Sequence, residues 1–268
     1  MLFGCVSLFA QTRHYRVRFA PEGQSVSTIL INDSEKAIEA YSVSSRCQSR
    51  GAGPRIGDEF DILTIPEDSG EIHRSKKDVV ISSVEPGGQR RLGAISGGPL
   101  PTGCEWTVES SGVIYADGTY EGDESVVRNL QARRDGVAAS VKFWSDRFGQ
   151  TNSGAPNASV TADEAMQLIQ RDMAKTMELC SHQARAREFT LTCEYWRGRT
   201  EPDSSLQAME RRFKDGPEER DIAGVFDKWE KKIEGDMAMN KVGAVFPVPA
   251  EVPGRTDPTA RSAGQPGP

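Results

Sequence analysis

The sequence has no long hydrophobic run, no group of histidines, no closely spaced cysteines and no excess of basic charge. Each absence removes a class of function. Nowhere do the 268 residues approach the roughly 18 consecutive apolar residues of a membrane-spanning helix, so no integral span is expected. The formal net charge is −6, with 12 basic and 16 acidic side chains in residues 13–122 and 19 and 21 in residues 123–242. Neither half carries the basic field that nucleic acid requires, so no nucleic-acid partner is expected. The three histidines, His14, His73 and His182, lie far apart and no C-x-x-C occurs, which argues against zinc. G-x-S-x-G, P-loop, Rossmann-glycine, H-E-x-x-H and EF-hand patterns are all missing, so the sequence points to no catalytic residues and no cofactor.

What is present begins with an apolar, uncharged start, MLFGCVSLFA, that turns polar at Gln11. Residues 1–12 read as the remnant of a secretory signal peptide, with cleavage after Ala10. A second export route is lipidation at Cys5, because Leu2-Phe3-Gly4-Cys5 is similar to a lipobox. Beyond the leader stand Cys47, Cys104, Cys180 and Cys193, an even number that permits two disulfides in an oxidising compartment.

Residues 13–122 alternate. Tyr15, Val17 and Phe19 point one way and His14, Arg16 and Arg18 the other, and SVSTILIN at Ser25–Asn32 is a β-branched strand. Further strands are expected at Ala37–Val43, Glu59–Ile65, Asp78–Ser83, a short one through Leu92, Cys104–Val108 and Val113–Tyr115. About eight strands with short polar connections and no helical pattern between them suggest an antiparallel sandwich.

The run ILINDSEKAIEAYSV, followed by VVISSVEPGGQRRL, resembles the Ig-like accessory domains of bacterial exported proteins over roughly residues 25–95. In those domains an Asn-x-Ser strand end leads through a lysine-bearing turn to an "I-x-A" strand, and a Pro-Gly turn precedes a closing strand. The charged insertion Glu67–Lys77 departs from the pattern. The resemblance implies a module that positions other domains or binds partners. Position favours a Cys47–Cys104 bridge, closing a loop of roughly sixty residues and stabilising by about 4 kcal/mol.

Residues 123–242 switch to a period of three or four. Val127, Leu130, Val137, Val141, Trp144 and Phe148 mark a helix over Ser125–Phe148, followed by a loop at Gly149–Ser159. Thr161 and Glu164 form a capping box for a second helix, whose stripe of Met166, Ile169, Met173, Met177 and Cys180 reads as helix–helix core. That helix is expected to run unbroken to about Arg197. The Cys180 and Cys193 Cα atoms would then lie about 19 Å apart, against the roughly 4.4–6.8 Å a disulfide needs. A short helix capped by Asp203 or Ser204 and a last one opened by Pro217 follow. Lys228, Lys231, Lys232 and Glu234 are placed on the solvated face of the last helix, and residues 243–268 read as a disordered Pro/Gly-rich tail.

Three constellations carry candidate chemistry. Asp117, Glu121 and Asp123 surround a turn and are weak candidates for Ca²⁺ or acid–base work. A turn aspartate and a helix cap account for Asp117 and Asp123, leaving Glu121 spare. Cys180 and His182 stand two apart and do not face each other on a helix. Arg185, Arg187, Arg197 and Arg199, near Tyr195 and Trp196 and interleaved with glutamates, read as an exposed helix end.

The expectation is an α+β protein, an N-terminal antiparallel Ig-like β-sandwich followed by a C-terminal helical region. Its function is read as an exported, non-catalytic binding or scaffolding module of the cell envelope with a protein or envelope partner. The competing readings are a hydrolase using the carboxylates near Asp117–Asp123 and a lipoprotein tethered through Cys5.

Overall fold

The structure, a computed structural model, describes residues 13–22, 25–48, 55–65, 83–95, 105–152, 162–186, 190–213 and 222–235. Seven strands occur among them: β1 Tyr15–Glu22, β2 Ser25–Asn32, β3 Ile38–Gln48, β4 Arg55–Asp61, β5 Gln89–Ile95, β6 Glu105–Tyr115 and β7 Tyr120–Gly122. Four helices follow: α1 Glu124–Asn152, α2 Ala162–Ala186, α3 Leu191–Phe213 and α4 Ile222–Gly235. The protein is α+β.

The strands form two antiparallel sheets, ordered β1-β2-β5 and β4-β3-β6-β7. They share one apolar core: Tyr15, Leu30 and Leu92 from the first meet Ile38, Tyr41, Val43, Val113 and Tyr115 from the second. The opposite face of the β3–β6 pair is apolar too. There Ala40 and Ile114 pack on Val127 and Leu130 of α1. The four-stranded sheet is therefore a middle layer, buried on both faces at this end, and β6 accordingly runs apolar from Val113 to Tyr115 without alternation.

The helices build a separate core, Val137, Val141, Trp144, Ile169, Leu206, Phe226, Trp229 and Ile233. α1 and α3 cross with their backbones nearly touching. A Cβ added at Gly136 would lie 2.0 Å from the Tyr195 carbonyl oxygen, and one at Gly198 2.0 Å from that of Arg133. Gly136, which looks from the sequence like a weak point in a helix, is what lets the two helices approach.

Several expected boundaries are corrected. The stretch Glu59–Ile65 is not one strand: β4 stops at Asp61, whose carboxylate accepts from Leu63 N (3.0 Å) and caps a 3-10 turn at Ile62–Thr64. Cys47 lies within β3, not after it, and β6 is a single strand where two were expected. α1 runs through Gly149 to Asn152. α3 continues through Pro202, with no new helix at Asp203, because Asp203 is buried as the acceptor for Trp144 Nε1 (2.9 Å) and Leu206 is buried in the helical core.

The expected unbroken helix to Arg197 is also corrected. One helix ends at Ala186 and the next begins at Leu191, α2 and α3 pack side by side, and Cys180 and Cys193 form a disulfide with Cα atoms 5.3 Å apart. The methionine stripe is not core throughout. Ala165, Ile169 and Asp172 of α2 are buried, Thr176 Oγ1 donates to Trp196 O (3.1 Å), and Met173 and Met177 are left exposed. Asp172 pairs with Arg199 (3.6 Å), so polar partners on α3 set the helix's rotation. Lys232 does not face solvent alone; its Nζ donates to the Ile62 and Ile65 carbonyls (3.0 and 3.2 Å).

The strand expected at Asp78–Ser83, the capping box at Thr161, the Pro217 start, Cys104 and its expected bridge to Cys47, and the tail at 243–268 lie wholly or largely outside the described residues.

Candidate functional site

The junction between β6 and α1 is built by a turn and a short return strand. Gly118 N donates to Tyr115 O (2.8 Å), Tyr115 N to Thr119 O (2.9 Å), and β7 pairs back on β6. Gly122 has φ +108°, and a Cβ there would lie 2.3 Å from Ser111 O, so only glycine brings β7 close enough.

Each sequence-predicted carboxylate here is taken by a different distant partner. Asp117 accepts from Thr119 N and Oγ1 (2.9 and 2.5 Å) and pairs with Lys36 (2.7 Å). Burial tends to raise its carboxyl, but these bonds outweigh it and hold the group at about 2. Glu121 is not spare: its two oxygens engage His14 N and Nδ1, each at 2.7 Å. Asp123 stands at the helix start, yet its carboxylate does not cap the helix. It accepts from Ser111 N (2.7 Å) and Arg13 Nη2 (3.3 Å), while its backbone carbonyl receives Val126 and Val127.

The three carboxylates do not converge, and among the described residues no three of His, Cys, Asp and Glu are grouped to hold a metal ion. Beneath them, Tyr15 Oη bonds Ser111 Oγ (2.8 Å), and burial pushes this phenol above its ordinary range. The junction fastens the N-terminal strand to the first helix.

A second location emerges only in three dimensions. An open cleft of about 900 Å³ lies between the outer face of β3–β4–β6 and helices α1 and α3. Ser42, Ser44, Ser110 and Ser125 supply hydroxyls, and Asp58, Glu59, Glu109, Glu194, Arg55 and Arg197 supply charge.

Glu109 is held by Arg46 and Arg55 (2.9 and 2.8 Å). Arg133 bridges Glu59 of β4 to Glu201 of α3, and those partners raise its pKa despite burial. Glu194, its side chain 3 % exposed, receives Arg197 Nη1 at 2.6 Å, and Glu59 stands 4.0 Å from the same nitrogen. Burial is the largest influence on Glu194 and pushes its carboxyl up; Arg197 opposes and Glu59 reinforces. Two carboxylates from opposite halves of the chain thus share one guanidinium, and such an arrangement can bind a donor or hold a proton.

The arginines read as an exposed helix end divide. Arg197 is half-buried in this cleft and Arg199 is buried, while the side chains of Arg185 and Arg187 lie outside the described residues. Sequence reasoning missed Glu59 and Glu194 because nothing local marks either.

Comparison with known protein families, with curated proteins and with solved structures finds no match.

Proposed function

We propose that this protein is an exported, non-catalytic binding or scaffolding module of the bacterial cell envelope, with an Ig-like sandwich as its β portion. The observation that carries the binding role is the cleft, whose 900 Å³ falls in the range of small-ligand sites and whose walls come from both the sheet and the helices. Two antiparallel sheets sharing one core support the sandwich, and the Cys180–Cys193 disulfide suits an oxidising compartment. No described helix is long and apolar enough to cross a membrane, and the tethered form of this reading runs through Cys5.

The test is expression of the full gene in a bacterial host, fractionation, and intact mass of the recovered protein with and without reductant. The expected product lies in the envelope fraction with its N-terminus at Gln11. A diacylated Cys5 would support the tethered form of the same reading. Recovery from the cytosol with Met1 retained and all thiols reduced would overturn it.

A further inference from the structure

We propose that the cleft between β3–β4–β6 and α1–α3 binds a small cationic ligand, a primary ammonium or a guanidinium, with Glu194 as its anchor. The proposal deepens the binding-module reading and rests on it, since it gives that module a site and a ligand class.

Glu194 carries the argument. One oxygen, Oε1, takes Arg197. The other, Oε2, is shielded from solvent and has no hydrogen-bond partner among the described residues. A buried carboxylate oxygen without a donor is costly, and native structures rarely leave one so. Here the side chain lines an open cleft, and turning its carboxylate towards that space brings Oε2 to a donor from outside.

The surroundings decide which donor. Glu109 is satisfied by two arginines of its own sheet, Arg46 and Arg55, which leave one positive charge over at that edge of the cleft. Arg133 is spent between Glu59 and Glu201. Arg133 and Arg197 together hold Glu59, Glu194 and Glu201, three carboxylates to two guanidiniums, so the helix side of the cleft carries one negative charge over. An anion would meet these carboxylates at close range. A neutral polyol would satisfy the hydrogen bond but leave the charge of Glu194 shared with one arginine. An ammonium or guanidinium meets both requirements through a charge-assisted bond, and the serine hydroxyls can hold the polar remainder of the molecule.

The test is a titration of the purified, oxidised full chain, labelled with ¹⁵N, with argininamide and putrescine as cations, glucose as the neutral arm and succinate as the anionic arm. Saturable shifts on β3, β4 and α3 are expected for at least one cation and not for glucose or succinate. Glu194→Gln keeps the shape and should weaken that binding about tenfold or more. Should Glu194→Gln fail to fold, Gly57→Val decides. Its added Cβ has no neighbour nearer than the Val43 carbonyl at 4.0 Å, so the strand accepts it and the side chain fills the cleft. Asp146→Asn, on a distant exposed turn of α1, should bind as the parent does. The proposal is overturned if neither cation saturates, if glucose or succinate binds as well as the cations, or if Gly57→Val binds a cation undiminished. The mass and fractionation experiment can fail while this titration succeeds, so the two readings fall separately.

Discussion

Arg134 grips Asp61 through two parallel bonds, Nε to Oδ2 at 2.6 Å and Nη2 to Oδ1 at 2.9 Å, with side chains 0 % and 4 % exposed. Arg134 belongs to α1 and Asp61 ends β4, so the pair joins the helical layer to the sheet. The same carboxylate caps the 3-10 turn, and Trp229 Nε1 donates to Leu63 O in that turn (2.9 Å). Breaking the pair from one side strands a buried charge. Arg134→Ala should therefore destabilise the protein by about 3–5 kcal/mol, read as a lower urea midpoint. Arg134→Met with Asp61→Asn should recover part of the loss, because the amide oxygen still accepts from Leu63 N. A single variant within about 1 kcal/mol of the parent would mean that water reaches this pair.

Gly136 and Gly198 set the crossing of α1 and α3. Helix propensity alone favours alanine at each by up to about 1 kcal/mol. The added methyl, however, would meet a backbone carbonyl at 2.0 Å, and backbone cannot swing aside. Gly136→Ala and Gly198→Ala should each destabilise by about 1–3 kcal/mol, in the manner of overpacked cores. Thermal melts of the two variants check this, and a higher melting temperature for either would show that the helices sit farther apart.

How much of this was legible beforehand depended on the range of the interaction. β1 and β2 follow from the alternation of Tyr15, Val17 and Phe19 and from SVSTILIN, and α1 from the spacing of Val127 through Trp144, because each pattern is complete within one element. The 3-10 turn was hidden because EFDILTI alternates well enough for a strand, and only the Asp61–Leu63 bond ends it. A new helix capped at Asp203 or Ser204 was expected, but buried partners on α1 and the helical core carry α3 through Pro202. The junction carboxylates were found as a group, yet their fates depend on Lys36, His14 and Arg13, which come from the start of the chain. The cleft pair, Glu59 and Glu194, had no local mark at all.

The disulfide offers a direct check on the α2–α3 hairpin. Without reduction, a proteolytic digest should contain Cys180 and Cys193 in one linked peptide pair, and neither should alkylate. Closing a 13-residue separation should stabilise by about 3 kcal/mol on the chain-entropy estimate, so Cys180→Ser with Cys193→Ser should unfold at correspondingly lower urea. Rapid alkylation of both cysteines in the unreduced protein would contradict the bridge.

Asp135 gives the chain a pH dependence of known sign. Burial pushes its carboxyl up to about 6, against the hydrogen bond from Gln131 (2.7 Å) and the charge of Arg134. In the unfolded chain the same group titrates near its ordinary value of about 4. The folded state therefore holds the proton more tightly. This contribution is fully present below about pH 4, is lost as pH rises through 6, and amounts to on the order of 2–3 kcal/mol. Other carboxylates, Asp117 among them, move the opposite way, so total stability is the wrong quantity to read. The informative one is the difference between the parent and Asp135→Asn, which keeps the shape and cannot ionise. Urea unfolding at several pH values should find the variant more stable than the parent at pH 7 and the two nearly equal at pH 4. A difference that stays flat across that window would place Asp135 in water rather than in a buried setting.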